Sequence, residues 1–260
     1  MELIIIGVLL VIGGLLCVFL LRPRISGALM EIRFMETTPI ADLAAILEQL
    51  RDAGADEGSL RQYVELKGAA EADQPDAMPF SGERVAYGRA KRVRVTERQE
   101  SYRDSNGRTR TRTVKHEETV SDEKTSAPAY LSDSSINGQP GKRVLLDLSA
   151  GGIKLDIPKT YDRFEPSNER RIGSSRVVGY KKTEHTIKQK QQLYVIGDVY
   201  VNGGVMTLGK PSEPKKPFIV STKSEEELIN TNKRNASMAL YGGVGAAVLG
   251  VILFIVGIVG

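Results

Sequence analysis

The sequence contains very little cysteine, histidine or tryptophan. Its 260 residues include one cysteine, two histidines and no tryptophan. A single cysteine excludes a disulfide within one chain, and nothing indicates an oxidising compartment. Aromatic residues make up only 6% of the chain, which argues against a large base-stacking surface for nucleic acid. No phosphate-binding loop, Ser-His-Asp arrangement or zinc-ligand spacing is present, so we expect no catalytic, cofactor or metal site.

Charge is absent from two long apolar segments, residues 3–21 and 238–259. Each has about the 20 apolar residues that a helix needs to cross a bilayer. A cleaved signal peptide is the alternative for the first segment, but no basic residue precedes it and Arg22 and Arg24 follow it. A buried core helix is the alternative for the second, whose length and many glycines favour a membrane span. There Ala246 and Gly250 form a small-xxx-small step typical of helix packing in lipid.

Basic residues lie on the inner side of both segments, next to the central residues 22–237. Lys and Arg near the ends of a span favour the cytoplasmic side. We therefore predict a cytoplasmic central domain with both termini outside, in a protein of the cell inner membrane.

An amphipathic helix is predicted at residues 39–53, with Thr38 as its cap, Pro39 in its first position and Gly54 at its end. Its apolar residues recur three or four positions apart: Ile40, Leu43, Leu47 and Leu50. We expect this face to pack on the following sheet, because the polar face carries acidic residues where a helix lying on a bilayer carries lysines.

The rest of the central domain alternates apolar and polar residues, as strands do. Asn106-Gly107 predicts a two-residue hairpin, and further hairpins are expected at Gly151-Gly152 and at residues 202–204. Residues 117–135 are predicted to be a polar linker. A capping box at Ser224–Glu227 opens a helix that runs into the second span. The predicted fold is α+β, a mainly β soluble domain flanked by two transmembrane helices. Strands are expected near residues 63–68, 83–98, 108–114, 142–148, 153–158, 176–185, 192–201, 205–208 and 218–220.

The most basic segment is residues 84–115, with 11 Lys and Arg against three acidic residues. Three interpretations compete: a solvated β-ribbon, which we favour, a surface for anionic lipid headgroups, and a nucleic-acid site, which ranks last because no matching fold signature is present. The candidate contact surface is formed by Arg92, Arg94, Arg108, Arg110 and Arg112.

The order of short motifs between the two spans resembles the GIDE family, the family of the mitochondrial ubiquitin ligase whose "beside a membrane" (BAM) domain lies between two membrane helices. At one position, Lys190, the resemblance leads us to expect a glycine. The motifs are Tyr63-Val64 with Gly68, Pro79–Gly82 with Tyr87, Leu146–Leu148 with Gly151-Gly152 and Ile157-Pro158, Phe164–Ser167, Gly179, Glu184, Ile187, Leu193–Gly197, and Phe218–Ser221 with Glu225–Leu228.

The resemblance implies E3 ubiquitin transferase chemistry, which family members perform with a RING domain. A RING needs two zinc sites of four Cys or His ligands each. Cys17, His116 and His185 cannot supply eight ligands. The sequence is therefore interpreted as a RING-less, prokaryotic form.

Three functional hypotheses follow from these observations. The first is a non-catalytic adaptor that binds a protein, a peptide or lipid headgroups beside the membrane. The second is participation in a ligation or membrane-organisation process, as the RING-bearing relatives imply. The third is a membrane-organising homo-oligomer that associates through the glycine faces of its spans.

Overall fold

The computed structural model describes residues 2–21, 35–133, 141–149, 151–167 and 175–259. These residues form two compact units. One contains both chain ends, residues 1–37 and 223–260, and the other contains residues 38–222. The predicted class is confirmed, because the central unit is mainly β and each chain end carries an apolar helix.

The terminal unit is a pair of antiparallel helices. Helix α1 (Glu2–Leu16) continues as a π-helical turn to Leu21, and helix α3 (Glu225–Val259) contains the second apolar segment. Both helices are long and apolar enough to cross a membrane. The predicted capping box is confirmed, since Ser224 and Glu227 each donate a backbone N–H to the other's side chain at 3.2 Å.

Glycines form the contact between α1 and α3. A Cβ atom added at Gly7 would lie 2.7 Å from the carbonyl oxygen of Gly250, and one added at Gly14 would collide with the carbonyl oxygen of Gly243. Without side chains the two backbones approach closely, as small residues permit in lipid. Gly250 therefore makes its expected packing contact with α1 of the same chain.

Helix α2 (Ile40–Asp52) confirms the predicted amphipathic helix, and its apolar face joins the core of the sheet unit. Gly54, with a φ of +62°, ends the helix as expected. The predicted Thr38 cap is wrong. Pro39 occupies the cap position and has no side-chain oxygen, so a distant carboxylate takes over: Asp133 accepts from the backbone N–H of Ala41 at 3.1 Å.

Five strands of the central unit close into a barrel. When the five barrel strands are numbered in chain order, the first strand pairs with the second, the second with the third and the third with the fifth. The fifth strand pairs with the fourth, and the fourth pairs with the first, which closes the ring. The third and fifth strands run parallel and the other pairs antiparallel. This is the strand order of a Greek-key barrel of the OB type. In chain order the barrel strands are β1 (Arg61–Glu71), β6 (Tyr130–Ser132), β7 (Arg143–Leu146), β11 (Gln192–Asn202) and β12 (Val205–Gly209).

A second sheet of four antiparallel strands is inserted between the barrel strands, in the order β5-β4-β10-β9. Residues 76–77 pair antiparallel with residues 84–85 as a separate short pair. Residues 219–221 extend the barrel sheet, because they pair antiparallel with β11 and parallel with residues 154–156. The four strands are β4 (Tyr87–Arg103), β5 (Thr109–Lys124), β9 (Lys159–Pro166) and β10 (Arg176–Ile187). The shorter strands are β2 (Asp76–Ala77), β3 (Arg84–Val85), β8 (Lys154–Asp156) and β13 (Ile219–Ser221).

Several local predictions are wrong because pairing across the fold overrides local pattern. Strands β5 and β6 occupy most of the predicted linker, and β9 lies where no strand was predicted. The predicted hairpin at Gly151-Gly152 does not form: β7 pairs with β6 and β12, whereas β8 pairs with β13. The turn at Asn106-Gly107 connects β4 to β5, but the loop spans residues 104–108, because Asp104 accepts from three backbone N–H groups.

The chain turns at Lys190, the position where the resemblance led us to expect a glycine. Lys190 has a φ of +61°, the single positive value among non-glycine residues in the described segments. A side chain in this conformation is strained by about 1 kcal/mol or more. The turn is held by pairing with β1, since the Lys190 N–H donates to the carbonyl of Ala70 at 2.8 Å.

Candidate binding surfaces

Two of the five predicted contact arginines lie over the middle of the four-stranded sheet. The guanidinium of Arg92 stacks 4.0 Å from the centre of the Tyr180 ring. Arg94 forms an ion pair with Glu118 on the neighbouring strand. Both side chains are half-buried, so their charges already interact with groups of the same sheet.

The other three arginines lie at the far end of the β4–β5 hairpin, where they are exposed. Arg110 pairs with Asp104 at 2.8 Å, and Arg112 lies 3.4 Å from Glu100. The pKa of Asp104 is lowered, chiefly by the backbone N–H of Arg108 and also by the Arg110 side chain. Arg108, Arg110 and Arg112 remain the most accessible positive charges of the predicted surface.

The hairpin as a whole is less basic than the segment 84–115 suggests. Its second strand continues to Lys124 and brings in Glu117, Glu118, Asp122 and Glu123. Residues 84–124 contain twelve basic and seven acidic residues, a net charge of +5. The acidic half of β5 lies against the basic half of β4, where Asp122 receives a bidentate contact from Arg89 that lowers the pKa of the carboxyl group.

A cleft of about 430 Å³ opens on the barrel, and no sequence pattern predicted it. This volume falls in the range of small-molecule pockets. The cleft lies beside β7, between the segment that enters β6 and the β11–β12 hairpin. Its lining consists of Tyr87, Lys124, Thr125, Ala127, Pro128, Ala129, Leu145, Leu146, Asp147, Leu148, Ser149, Tyr200, Asn202 and Thr207.

The cleft combines apolar walls with a few polar groups. Leucine, alanine and proline side chains form the apolar part, and Tyr87, Tyr200 and Asp147 supply hydroxyl and carboxylate groups. Burial raises the pKa of the Tyr200 hydroxyl, and the nearby Asp147 carboxylate raises it further. Neither tyrosine hydroxyl has a hydrogen-bond partner among the residues that the structure describes, which leaves both donors available to a ligand.

The comparison with known families gives a match to residues 97–256, to the family described as GIDE: E3 Ubiquitin ligase. The match covers more than half of the chain. The chain belongs to the GIDE family. The GIDE match includes every residue that lines the cleft except Tyr87, and three of the contact arginines, Arg108, Arg110 and Arg112. No curated protein and no solved structure matches the chain.

Possible metal ligands are scattered in the described part of this GIDE-family chain. No group of three or more His, Cys, Asp and Glu side chains there could hold a metal ion. Cys17 lies against Gly243 in the helix pair, since a Cβ atom on Gly243 would lie 3.1 Å from its Cβ. His116 is exposed, and His185 lies 3.4 Å from the carbonyl oxygen of Ile157.

Proposed function

We propose that this GIDE-family protein is a non-catalytic adaptor, anchored by α1 and α3 and binding a partner protein close to the membrane. The proposal includes the inner membrane as its location, with the central domain cytoplasmic and both termini outside, since basic residues concentrate between the two spans. The barrel cleft is the observation that carries the proposal. It offers apolar walls flanked by a few polar groups, the composition of a site that binds a ligand or a segment of a protein.

The composition of the cleft favours an extended segment of a protein. Its apolar walls suit an aliphatic side chain, and the flanking polar groups suit backbone amides and carbonyls. Asp147 and Asn202 can accept hydrogen bonds from such amides, and Tyr87 and Tyr200 can donate to carbonyls. Arg108, Arg110 and Arg112 would steer an acidic partner or add contacts to it, with Arg92 and Arg94 as a continuation of the basic surface.

The test is a pull-down of the cross-linked full-length protein from its native membrane. Ala127→Phe fills the cleft, and Ala77→Phe adds the same ring at an exposed position outside it. We expect Ala127→Phe to lose defined protein partners and Ala77→Phe to retain them. Changing Arg108, Arg110 and Arg112 to Ser shows whether the hairpin contributes.

Two results would contradict the adaptor proposal. One is an unchanged set of partners with Ala127→Phe, which would remove the cleft from partner binding. The other is covalent modification of a substrate by the purified protein without added partners. If no protein partner is captured from any variant, vesicles with anionic lipids become the next probe for the arginine surface.

The family description favours a second candidate, a part in ubiquitin transfer. If this chain transfers ubiquitin without zinc, it needs another surface that binds a conjugating enzyme carrying ubiquitin. The cleft is the surface to test. In an assay with activating enzyme, conjugating enzyme and ubiquitin, the adaptor proposal predicts no ubiquitin transfer above background. Ubiquitin transfer that is lost in the Ala127→Phe variant would contradict the adaptor proposal and indicate that the protein is a ligase.

A further inference from the structure

We propose that the outer edge of β5 is a self-association surface, on which β5 of a second copy of this chain pairs antiparallel. The two four-stranded sheets would then join into one sheet of eight strands. This inference concerns the edge of the inserted sheet and does not depend on what binds in the barrel cleft.

The edge is unusually long and open. Strand β5 has 16 residues and spans roughly 50 Å, whereas strands in globular proteins have about five or six residues. It ends the order β5-β4-β10-β9, so β4 is its one strand neighbour among the described residues. Its side chains are nearly all exposed. The outward N–H and C=O groups of such an edge form a template for another strand.

The charges of β5 are divided into two halves of opposite sign. Arg108, at the end of the loop, is followed by Arg110, Arg112 and Lys115, which makes four positive charges with no acidic residue among them. After His116 come four negative charges before Lys124. The negative half consists of Glu117, Glu118, Asp122 and Glu123.

This order of charges selects antiparallel pairing of identical strands. In an antiparallel pair centred near His116, the positive half of each copy faces the negative half of the other. A parallel pair would place like charges opposite each other, which is unfavourable. The antiparallel contact is also isologous, so that it closes into a dimer with no free repeat of the same surface.

Strand β4 already shows that β5 pairs with a neighbour of complementary charge order. On that side Glu97 faces Lys115 and Glu100 faces Arg112, whereas Arg94 faces Glu118. A second β5 in the antiparallel direction presents the same order of acidic and basic residues as β4 does. Tethering in a shared membrane would raise the effective concentration of the two edges and favour their pairing.

A disulfide test reports the geometry directly. In full-length protein with Cys17→Ser, the change His116→Cys places a thiol near the expected two-fold axis. Directly opposed residues of antiparallel strands have Cα atoms roughly 4.5–5.5 Å apart, within the range of a disulfide. We expect a disulfide-linked dimer under mild oxidation in reconstituted membranes. Arg163→Cys, on the opposite edge strand β9, is the matched control and should stay monomeric.

Charge reversal tests the mechanism of pairing. Arg110→Glu with Arg112→Glu, and separately Asp122→Arg with Glu123→Arg, put like charges together in each homodimer. We expect each variant to self-associate about tenfold more weakly than the unchanged protein, because opposite charges at both ends of the strand pair become like charges. Mixing the two variants restores opposite charges at both ends, so the heterodimer should form at near the original affinity.

Three results would overturn the inference. They are an absence of cross-linking at position 116, cross-linking that is equal at positions 116 and 163, and charge-reversed variants that associate as strongly as the unchanged protein. Circular dichroism of each variant establishes that the sheet is intact. Rescue by mixing requires contact between two copies, because it cannot arise from altered ion pairs within one chain.

Discussion

Glu184 provides the sharpest test of how the inserted sheet is held to the loop at residues 79–82. Its side chain is fully buried on β10. One carboxylate oxygen, Oε1, accepts from the backbone N–H of Phe80 at 2.6 Å and from that of Ser81 at 3.3 Å. The other oxygen, Oε2, is buried and has no hydrogen-bond partner in the described structure.

The geometry predicts different costs for two substitutions. Glu184→Ala removes the acceptor from two N–H groups, and hydrogen bonds to charged groups contribute about 1.5–3 kcal/mol each. The bond to Ser81 is long, and removing the buried charge relieves a desolvation penalty. We therefore expect a loss of about 3 kcal/mol in the free energy of unfolding. Glu184→Gln keeps one acceptor and the shape, and should cost about 1 kcal/mol or less.

The assay is urea unfolding of the full-length protein in detergent, followed by far-ultraviolet circular dichroism. Hydrogen exchange of the amides at residues 78–83 adds a local measurement, because those amides should exchange faster in Glu184→Ala. Glu165→Ala is the control. Glu165 forms an exposed ion pair with Lys182, and its loss should change stability by about 0.5 kcal/mol or less. Equal stabilities for Glu184→Ala and Glu165→Ala would refute the anchoring role.

Three further outcomes are expected. Gly250→Leu should destabilise the helix pair by about 2 kcal/mol in thermal melts, whereas Gly245→Leu, where an added Cβ meets nothing within 4 Å, should not; equal melting would contradict the glycine contact. Leu131→Ala, at a fully buried barrel position, should cost about 3–5 kcal/mol in urea unfolding, and a loss below about 1 kcal/mol would place Leu131 outside the core. The pKa of Asp76 is lowered because the N–H groups of Ala127 and Ser126 donate to it, so its contribution to stability is present above the ordinary Asp pKa of about 3.9 and is lost as pH falls through the lowered value. Asp76→Asn should therefore flatten the acid limb of a pH–stability curve, and an unchanged limb would exclude this contribution.

Features with a strong local cause were predictable from the sequence. Helix α2 followed from its apolar spacing and Gly54, and the capping box of α3 from Ser224 and Glu227. The β11–β12 hairpin followed from Gly203-Gly204, both of which have positive φ. In each case the signal and its structural consequence lie within a few residues, so no knowledge of distant pairing is needed.

Features that join distant residues could not be predicted in this way. The cap of α2 comes from Asp133, more than 90 residues from Ala41, because Pro39 offers no side-chain oxygen. The cleft takes its lining from separate segments at Tyr87, residues 124–129, 145–149 and the β11–β12 hairpin. The sequence placed the basic residues of β4 correctly but missed their partners, because residues 117–124 look like a polar linker until they pair with β4.

The sequence alone determined that the chain has two apolar segments of membrane-spanning length, a mainly β domain between them and a basic segment at residues 84–115. These properties depend on local composition and periodicity. The tertiary structure decided which strands close the barrel, where the cleft opens, and that Gly250 packs against α1 within the same chain. Strand pairing and backbone contact depend on which distant segments meet, and a period of two residues specifies the face of a strand but not its neighbour.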